Sequence, residues 1–284
     1  MRASIVALSL LASLAAACAD DFDPPSRVID LRLLAVQADQ PFALPGSDVN
    51  LRALALDPEG RALSFGWGTC IDAESSLALD CLRATSFESL VIGAEREHVL
   101  RMPETDAAFV GVVVVACPGR IVRGDTEGIP LACVDAGGEA LPLSQFEVGV
   151  KRVYVRQPAQ NQNPVIGEVL WDGVPWPEGE IKNETCTAIK GDTCAKWLEH
   201  AVEVRAPGAV EQSVDREGLP ITEQVVAQYY ATAGEFEADA RVIERAATTW
   251  IAKPADRGRV LLWFVVRDDR GGVAWTTREL ALSR

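Results

Sequence analysis

Apolar and polar residues alternate along much of this chain. Val49, Leu51, Ala53 and Ala55 alternate with Asn50 and Arg52, and after the turn-forming Asp57-Pro58-Glu59-Gly60 the alternation resumes at Leu63, Phe65 and Trp67. A period of two is the mark of a half-buried β-strand. Val28–Val36 and Phe146–Val155 read as further strands. Phe109–Cys117 is a continuous Val-rich run, as expected of a central strand covered on both faces. The second half repeats the scheme with Val165–Trp171, Ala201–Ala206, Gln224–Tyr230, Val260–Val266 and Val273–Leu282. Asp172-Gly173 and Asp268-Asp269-Arg270-Gly271-Gly272 punctuate it as turns. Asp192–His200 is expected to form one short helix. No long helical period appears, so the chain is predicted to be all-β.

Gln157-Pro158-Ala159-Gln160-Asn161-Gln162-Asn163 is polar and Pro-bounded, and predicts a linker. It divides the chain into 27–156 and 164–284. Leu100–Gly119 and Ile251–Gly271 share one order: a Pro, a polar turn, a Val-rich strand and a Gly turn. This weak repeat predicts two related domains.

Pro45-Gly46, the alternating run to Ala55, Asp57–Gly60 and then Leu63, Phe65 and Trp67 together resemble the front half of a bacterial immunoglobulin-like domain of the PKD or cadherin-like kind. Val265–Gly272 resembles the last hairpin of such a domain. The resemblance implies two tandem immunoglobulin-like antiparallel β-sandwiches, with Trp67 filling the space between sheets.

The first residues carry an address. Arg2 precedes an uncharged apolar run, Ala3–Ala17, and the chain then turns acidic at Asp20, Asp21 and Asp23. This is the layout of a secretory signal peptide over 1–17, and the run falls short of the roughly 20 residues of a membrane-spanning helix. Leu14-Ala15-Ala16-Ala17-Cys18 resembles a bacterial lipobox, with Ala15 where that family usually has leucine. The resemblance implies lipid attachment at Cys18, a tether over 18–26, and membership among exported bacterial lipoproteins with immunoglobulin-like folds. Each buried CH₂ contributes about 0.8 kcal/mol, so a triacylated cysteine would be a durable anchor. Ala19, in place of aspartate, points to the outer membrane under the sorting rule of some bacteria.

Of seven cysteines, setting Cys18 aside leaves six. In an exported chain an even number predicts disulfides. Spacing suggests three local pairs, Cys70 with Cys81, Cys117 with Cys133 and Cys186 with Cys194. Loops this short contribute roughly 2–3 kcal/mol each when closed. None has the C-x₂₋₄-C spacing of structural zinc.

Candidate chemistry is sparse. The net charge of −14 opposes nucleic-acid binding. No G-x-S-x-G, H-E-x-x-H or P-loop motif occurs, and the only histidines, His98 and His200, read as structural or solvated. Asp57 with Glu59, and Asp268 with Asp269, occupy loops where cadherin-like domains hold calcium, yet neither completes a calcium loop and both read as turn formers. Arg123-Gly124-Asp125 is a chance-level adhesion tripeptide. Trp171 and Trp176 flank a turn and are candidates for stacking on sugar rings or for capping the core. No cofactor or metal is implied. The expected function is that of a non-catalytic, membrane-anchored envelope lipoprotein, a binding or structural module for an envelope protein or glycan. The alternatives are a carbohydrate- or cell-wall-binding module and an anchored hydrolase with paired carboxylates.

Overall fold

The computed structural model describes residues 24–71, 78–85, 87–126, 128–155, 161–196, 198–214 and 219–283. The signal peptide and Cys18 lie outside the described residues, as do the tether up to Asp23 and Gln157–Gln160 of the expected linker.

The chain is all-β apart from one seven-residue helix and three short 3₁₀ turns among the described residues. A three-stranded sheet orders Arg32–Ala38, Asp48–Leu56 and Glu97–Arg101. Facing it is a five-stranded sheet in the order Phe42–Ala43, Glu147–Val155, Phe109–Cys117, Ser64–Ile71 and Val91–Gly93. The alternating positions foreseen from sequence (Val49, Leu51, Ala53, Ala55, Phe65, Trp67) meet Val110, Val112 and Val114 between these sheets. Trp67 is 3% exposed.

A second sandwich follows. One sheet orders Val174–Pro175, Glu168–Trp171, Glu199–Arg205, Thr248–Ile251 and Glu235–Phe236. The other orders Ile181–Thr185, Val273–Ser283, Gly258–Asp268, Val225–Ala231 and Ala240–Val242. In both sandwiches the last strand pairs antiparallel with the central one and parallel with a short early strand, Phe42–Ala43 or Ile181–Thr185. This is immunoglobulin-like topology. The sequence repeat falls on the same step in each, where the chain leaves Glu97–Arg101 or Thr248–Ile251 and crosses to the central strand of the opposite sheet.

The continuous apolar runs have separate covers. In Phe109–Cys117, Val110, Val112, Val114 and Ala116 face the inter-sheet core, whereas Val113, Val115 and Cys117 face outward. They lie beneath the helix Ala78–Ala84 and the hairpin Arg120–Thr126/Ile129–Val134. In Gly258–Asp268, Val260, Leu262, Phe264 and Val266 face the second core. Trp263 and Val265 face the first sandwich instead, against Val28, Leu34, Ala35 and Leu54. The sandwiches therefore stack face to face, as four layers of sheet. A bulge between Leu33 and Ala35 breaks the alternation and turns both Leu34 and Ala35 into this third core.

Two expectations are corrected. Asp192–His200 is not a helix. Ile189–Lys190 pairs with Thr193–Cys194 around Gly191, whose φ of 62° is turn geometry, and His200 already belongs to the strand Glu199–Arg205. The nearby cysteine pair closes a hairpin too tight for helical rise. The strand expected over Val28–Val36 starts at Arg32. Ahead of it, Ser26–Val28 crosses to the second sandwich, where Val28 N donates to Ala231 O at 2.8 Å and Ala231 N to Ser26 O at 2.9 Å. Among the described residues no helix is long and apolar enough to cross a membrane.

Candidate functional site

The polar turn Asp268–Gly272 is held at the junction of the two sandwiches, on the rim of a cleft of about 370 Å³. Asp268 Oδ1 accepts from the backbone N–H groups of Arg270 at 2.8 Å and Gly272 at 2.7 Å, and Oδ2 accepts from Asn161 Nδ2 at 3.2 Å. A Cβ on Gly272 would stand 2.0 Å from Asp268 Oδ2, so only glycine fits. Arg270 pairs with Glu223 at 2.6 Å, both buried, and lies 4.9 Å over the Phe42 ring of the first sandwich. Burial raises the Glu223 pKa, and the Arg270 hydrogen bond opposes it.

Two further cations close the junction. Lys151, 6% exposed on the strand Glu147–Val155, donates from Nζ to Gly271 O. Desolvation lowers its pKa to about 8, with Asp268 opposing the shift and Arg267 adding to it. Arg267 donates to Leu34 O and, at 2.6 Å, to Gln228 Oε1, and burial lowers its pKa. Asn163 joins the halves, giving Nδ2–H to Ala38 O at 2.7 Å and accepting Val273 N–H at 2.9 Å. Of the residues expected in a linker, Asn163 is thus a cross-link between the sandwiches, whereas Asn161 is bonded to the turn of the second one, at Asp268 and at Arg270 O. Sequence reasoning missed Lys151 and Asn163, because an isolated Lys in a strand and an Asn in a polar run carry no local signal.

The other sequence candidates are dispersed. The cysteines pair as Cys70–Cys81, Cys117–Cys133 and Cys186–Cys194. They pin the helix, the Arg120–Val134 hairpin and the Ile189–Cys194 hairpin to the sheets. Three disulfides belong to an oxidising, non-cytoplasmic compartment.

Trp171 and Trp176, at 4% and 1% exposure, are packed in the second core with Trp250. Neither ring has a face for a sugar, which corrects the stacking expectation. Trp176 Nε1 donates to Glu180 O at 3.0 Å, so its polar edge is satisfied inside. His200 stacks on Trp171 with centroids 4.3 Å apart. Its Nδ1 is 2.8 Å from Asp172 Oδ2, and its Nε2 is 3.6 Å from Glu184. His98 stacks on Trp67, and burial lowers its pKa.

Asp57 is committed to Arg61 at 2.6 Å and to the N–H of Glu59 at 3.1 Å. Burial pushes its pKa up, but these donors outweigh that and the net shift is downward. Arg123 is paired with Glu88, and Asp125 accepts from Gly128 N at 2.9 Å. Among the described residues no three His, Cys, Asp or Glu side chains form a group able to hold a metal.

No family model matches the sequence, and no curated protein matches it. Similar solved structures are remote. Dimeric latent PorU from Porphyromonas gingivalis has 11% identity and a TM-score of 0.22, covering 89% of this chain and 24% of its own. Invasin, a bacterial integrin-binding protein, has 8% identity and a TM-score of 0.23, covering 89% and 39%. Red sea bream transglutaminase has 12% identity and a TM-score of 0.22, covering 91% and 32%. The chain spans less than half the length of each.

Proposed function

We propose that this protein is a non-catalytic envelope lipoprotein, anchored through lipid on Cys18, whose paired sandwiches (27–156 and 164–284) present a rigid binding surface to an envelope partner. The observation that carries the anchor is the apolar run Ala3–Ala17 ending in Ala15-Ala16-Ala17-Cys18. The three disulfides support export. The apolar layer between the sandwiches supports a single stiff body in place of two beads on a string. An outer-membrane address follows from Ala19. A binding role is favoured because the conspicuous polar groups (Asp57, Asp268, Lys151, Arg267) are spent on turns and on the junction. A sugar-binding role loses its stated basis with the burial of Trp171 and Trp176.

The test is expression in a diderm bacterium, followed by membrane fractionation and intact-mass analysis. Wild-type protein should float with outer-membrane vesicles and carry the mass of three acyl chains. Cys18→Ala should lose both. A wild-type protein recovered soluble and without acyl mass would refute the anchor. Cross-linking of the anchored protein in intact cells, with mass spectrometry of what is attached, then identifies the partner.

A further inference from the structure

The three disulfides differ in what covers them. Cys117 and Cys133 are fully buried, and Cys70 and Cys81 are 6% and 1% exposed. All four lie in the cluster beneath the helix Ala78–Ala84 and the Arg120–Val134 hairpin. Gly111 shows how close the packing is there, since a Cβ on it would stand 2.5 Å from Cys70 Sγ and 3.3 Å from Cys81 Sγ. Cys186 and Cys194 are only half-buried, and every residue from Thr187 to Thr193 is exposed. Neither cysteine belongs to the core of the second sandwich. A thiol must reach a disulfide sulfur before it can exchange with it, so exposed disulfides are the labile ones.

The charge around this third pair suits exchange. Cys186 and Cys194 line a small pocket with Lys196, Lys253, Asp256 and Arg257. Asp256 accepts the N–H groups of Gly234 at 2.9 Å and Lys253 at 2.6 Å. The Lys253 ammonium is paired with Glu235 at 3.0 Å. Lys196 and Arg257 are exposed, and neither has an ion pair among the described residues. Lys190 and Asp192, both exposed at the hairpin tip, offset each other. Cations stabilise a thiolate, both the one that attacks and the one that leaves.

What the bond holds is local. Ile189–Lys190 and Thr193–Cys194 are strands of two residues each. Their hairpin meets the sandwich through Cys186 N to Ser283 O at 3.0 Å and Cys194 N to Pro254 O at 2.9 Å. A hairpin of this size is not stable alone, so its order depends on the cross-link, whereas the two sandwich cores do not.

We propose that Cys186–Cys194 is a thiol–disulfide exchange site for a dithiol, and that the bond latches Thr187–Thr193 to the second sandwich. One thiolate of the dithiol attacks one of the two sulfurs. A mixed disulfide forms, the Cys186–Cys194 bond breaks, and the other cysteine leaves as a thiolate beside Lys196 and Arg257. The second thiolate of the dithiol then attacks its own sulfur in the mixed disulfide, and the reagent departs as a disulfide. Two electrons pass to the protein, and the dithiol's two protons end on Cys186 and Cys194. The reverse sequence closes the latch. The proposal rests on export of the chain and not on its lipid anchor, so its failure would leave the Cys18 test untouched.

The probe is dithiothreitol, titrated at fixed pH against the purified full-length chain. Freed cysteines are trapped with N-ethylmaleimide and located by peptide mass spectrometry. Cys186 and Cys194 should be trapped at least tenfold faster than the other four disulfide cysteines, with the native tryptophan fluorescence retained. Hydrogen exchange across 187–193 should rise at least tenfold in that partly reduced protein. Lys196→Glu with Arg257→Glu should slow the trapping at least threefold, whereas Arg96→Glu with Arg101→Glu, exposed on the first sandwich, should leave it unchanged. Equal trapping of all six cysteines, or none before the tryptophan signal is lost, would overturn the proposal. So would hydrogen exchange across 187–193 that does not respond to reduction, or equal slowing by the two charge pairs. The wild-type measurements decide the matter even if a charge variant does not fold.

Discussion

Replacing Lys151 by methionine should make the protein's stability less dependent on alkaline pH, by an amount that can be worked out. The Lys151 ammonium is buried at the junction and donates to Gly271 O, with Asp268 attracting it and Arg267 repelling it. Arg152, Tyr154 and Asp269 also line the cleft. Its pKa falls from 10.5 to about 8. The folded state therefore holds this proton less tightly than the unfolded state. Above pH 8 the unfolded chain binds more protons at this site, so stability rises with pH until the unfolded lysine also titrates. Each pKa unit is worth about 1.4 kcal/mol. Between pH 7 and pH 10 this linkage contributes about 2.5 kcal/mol, since titration is incomplete at both ends. Lys151→Met removes that contribution but leaves Gly271 O without its donor, at a cost of about 1–3 kcal/mol. The absolute stability of the variant is therefore a poor test, and the difference between its pH profile and the wild-type profile is a good one. Urea unfolding followed by tryptophan fluorescence at several pH values gives both curves. Wild type should gain about 2.5 kcal/mol relative to Lys151→Met between pH 7 and pH 10. Parallel curves would show that Lys151 does not titrate as a buried cation, and the packing of the junction would be wrong.

Leu34→Asp places a charge between Trp263 and Val265 in the inter-sandwich layer and should cost about 3–5 kcal/mol or separate the domains; small-angle scattering would show an increased radius of gyration, and an unchanged radius with unchanged stability would refute the stacked arrangement. Trp171→Ala, at a 4% exposed core position, should lower stability by about 3–5 kcal/mol in chemical denaturation, which a sugar-facing tryptophan would not. Cys117→Ala with Cys133→Ala opens a loop of sequence separation 16 and should cost about 3 kcal/mol, read as a shift in the urea midpoint. Asp57 has a lowered pKa, so its pairing with Arg61 stabilises the fold above the ordinary carboxylate range and is lost as pH falls through the folded value; Asp57→Asn should flatten the acid limb of the stability profile below about pH 4, and an unaltered limb would refute the pair's contribution.

Much of the fold was legible because its signals are local. Alternation at Val49–Ala55 and Leu63–Trp67 reports which side of a strand is dry, and a strand with one wet face writes that directly into its residues. The continuous runs at Phe109–Cys117 and Val260–Val266 announced two covered faces without saying what covers the second. One cover is the helix Ala78–Ala84 with its hairpin, and two turns of helix are too few for a helical period to stand out. The other cover is the neighbouring sandwich, which no local pattern encodes. Cysteine spacing gave the pairing because loops of 8–16 residues bring their ends together without help from the rest of the chain.

The candidate sites fared differently, for the same reason. Trp171 and Trp176 look alike whether they face solvent or the core, and only the packing of Trp250 and Val202 against them decides. The turn Asp268–Gly272 read as a hairpin end with spare carboxylates, whereas tertiary structure commits Asp268 to the turn's own N–H groups and wedges the turn against Lys151. By itself the sequence determined most of the strands and the disulfide loops, which depend on residues near one another in the chain. The tertiary structure alone decided how the two sandwiches stack and which polar groups join them, because Lys151 with Gly271, Asn163 with Ala38 and Val273, and Arg267 with Leu34 are each more than a hundred positions apart.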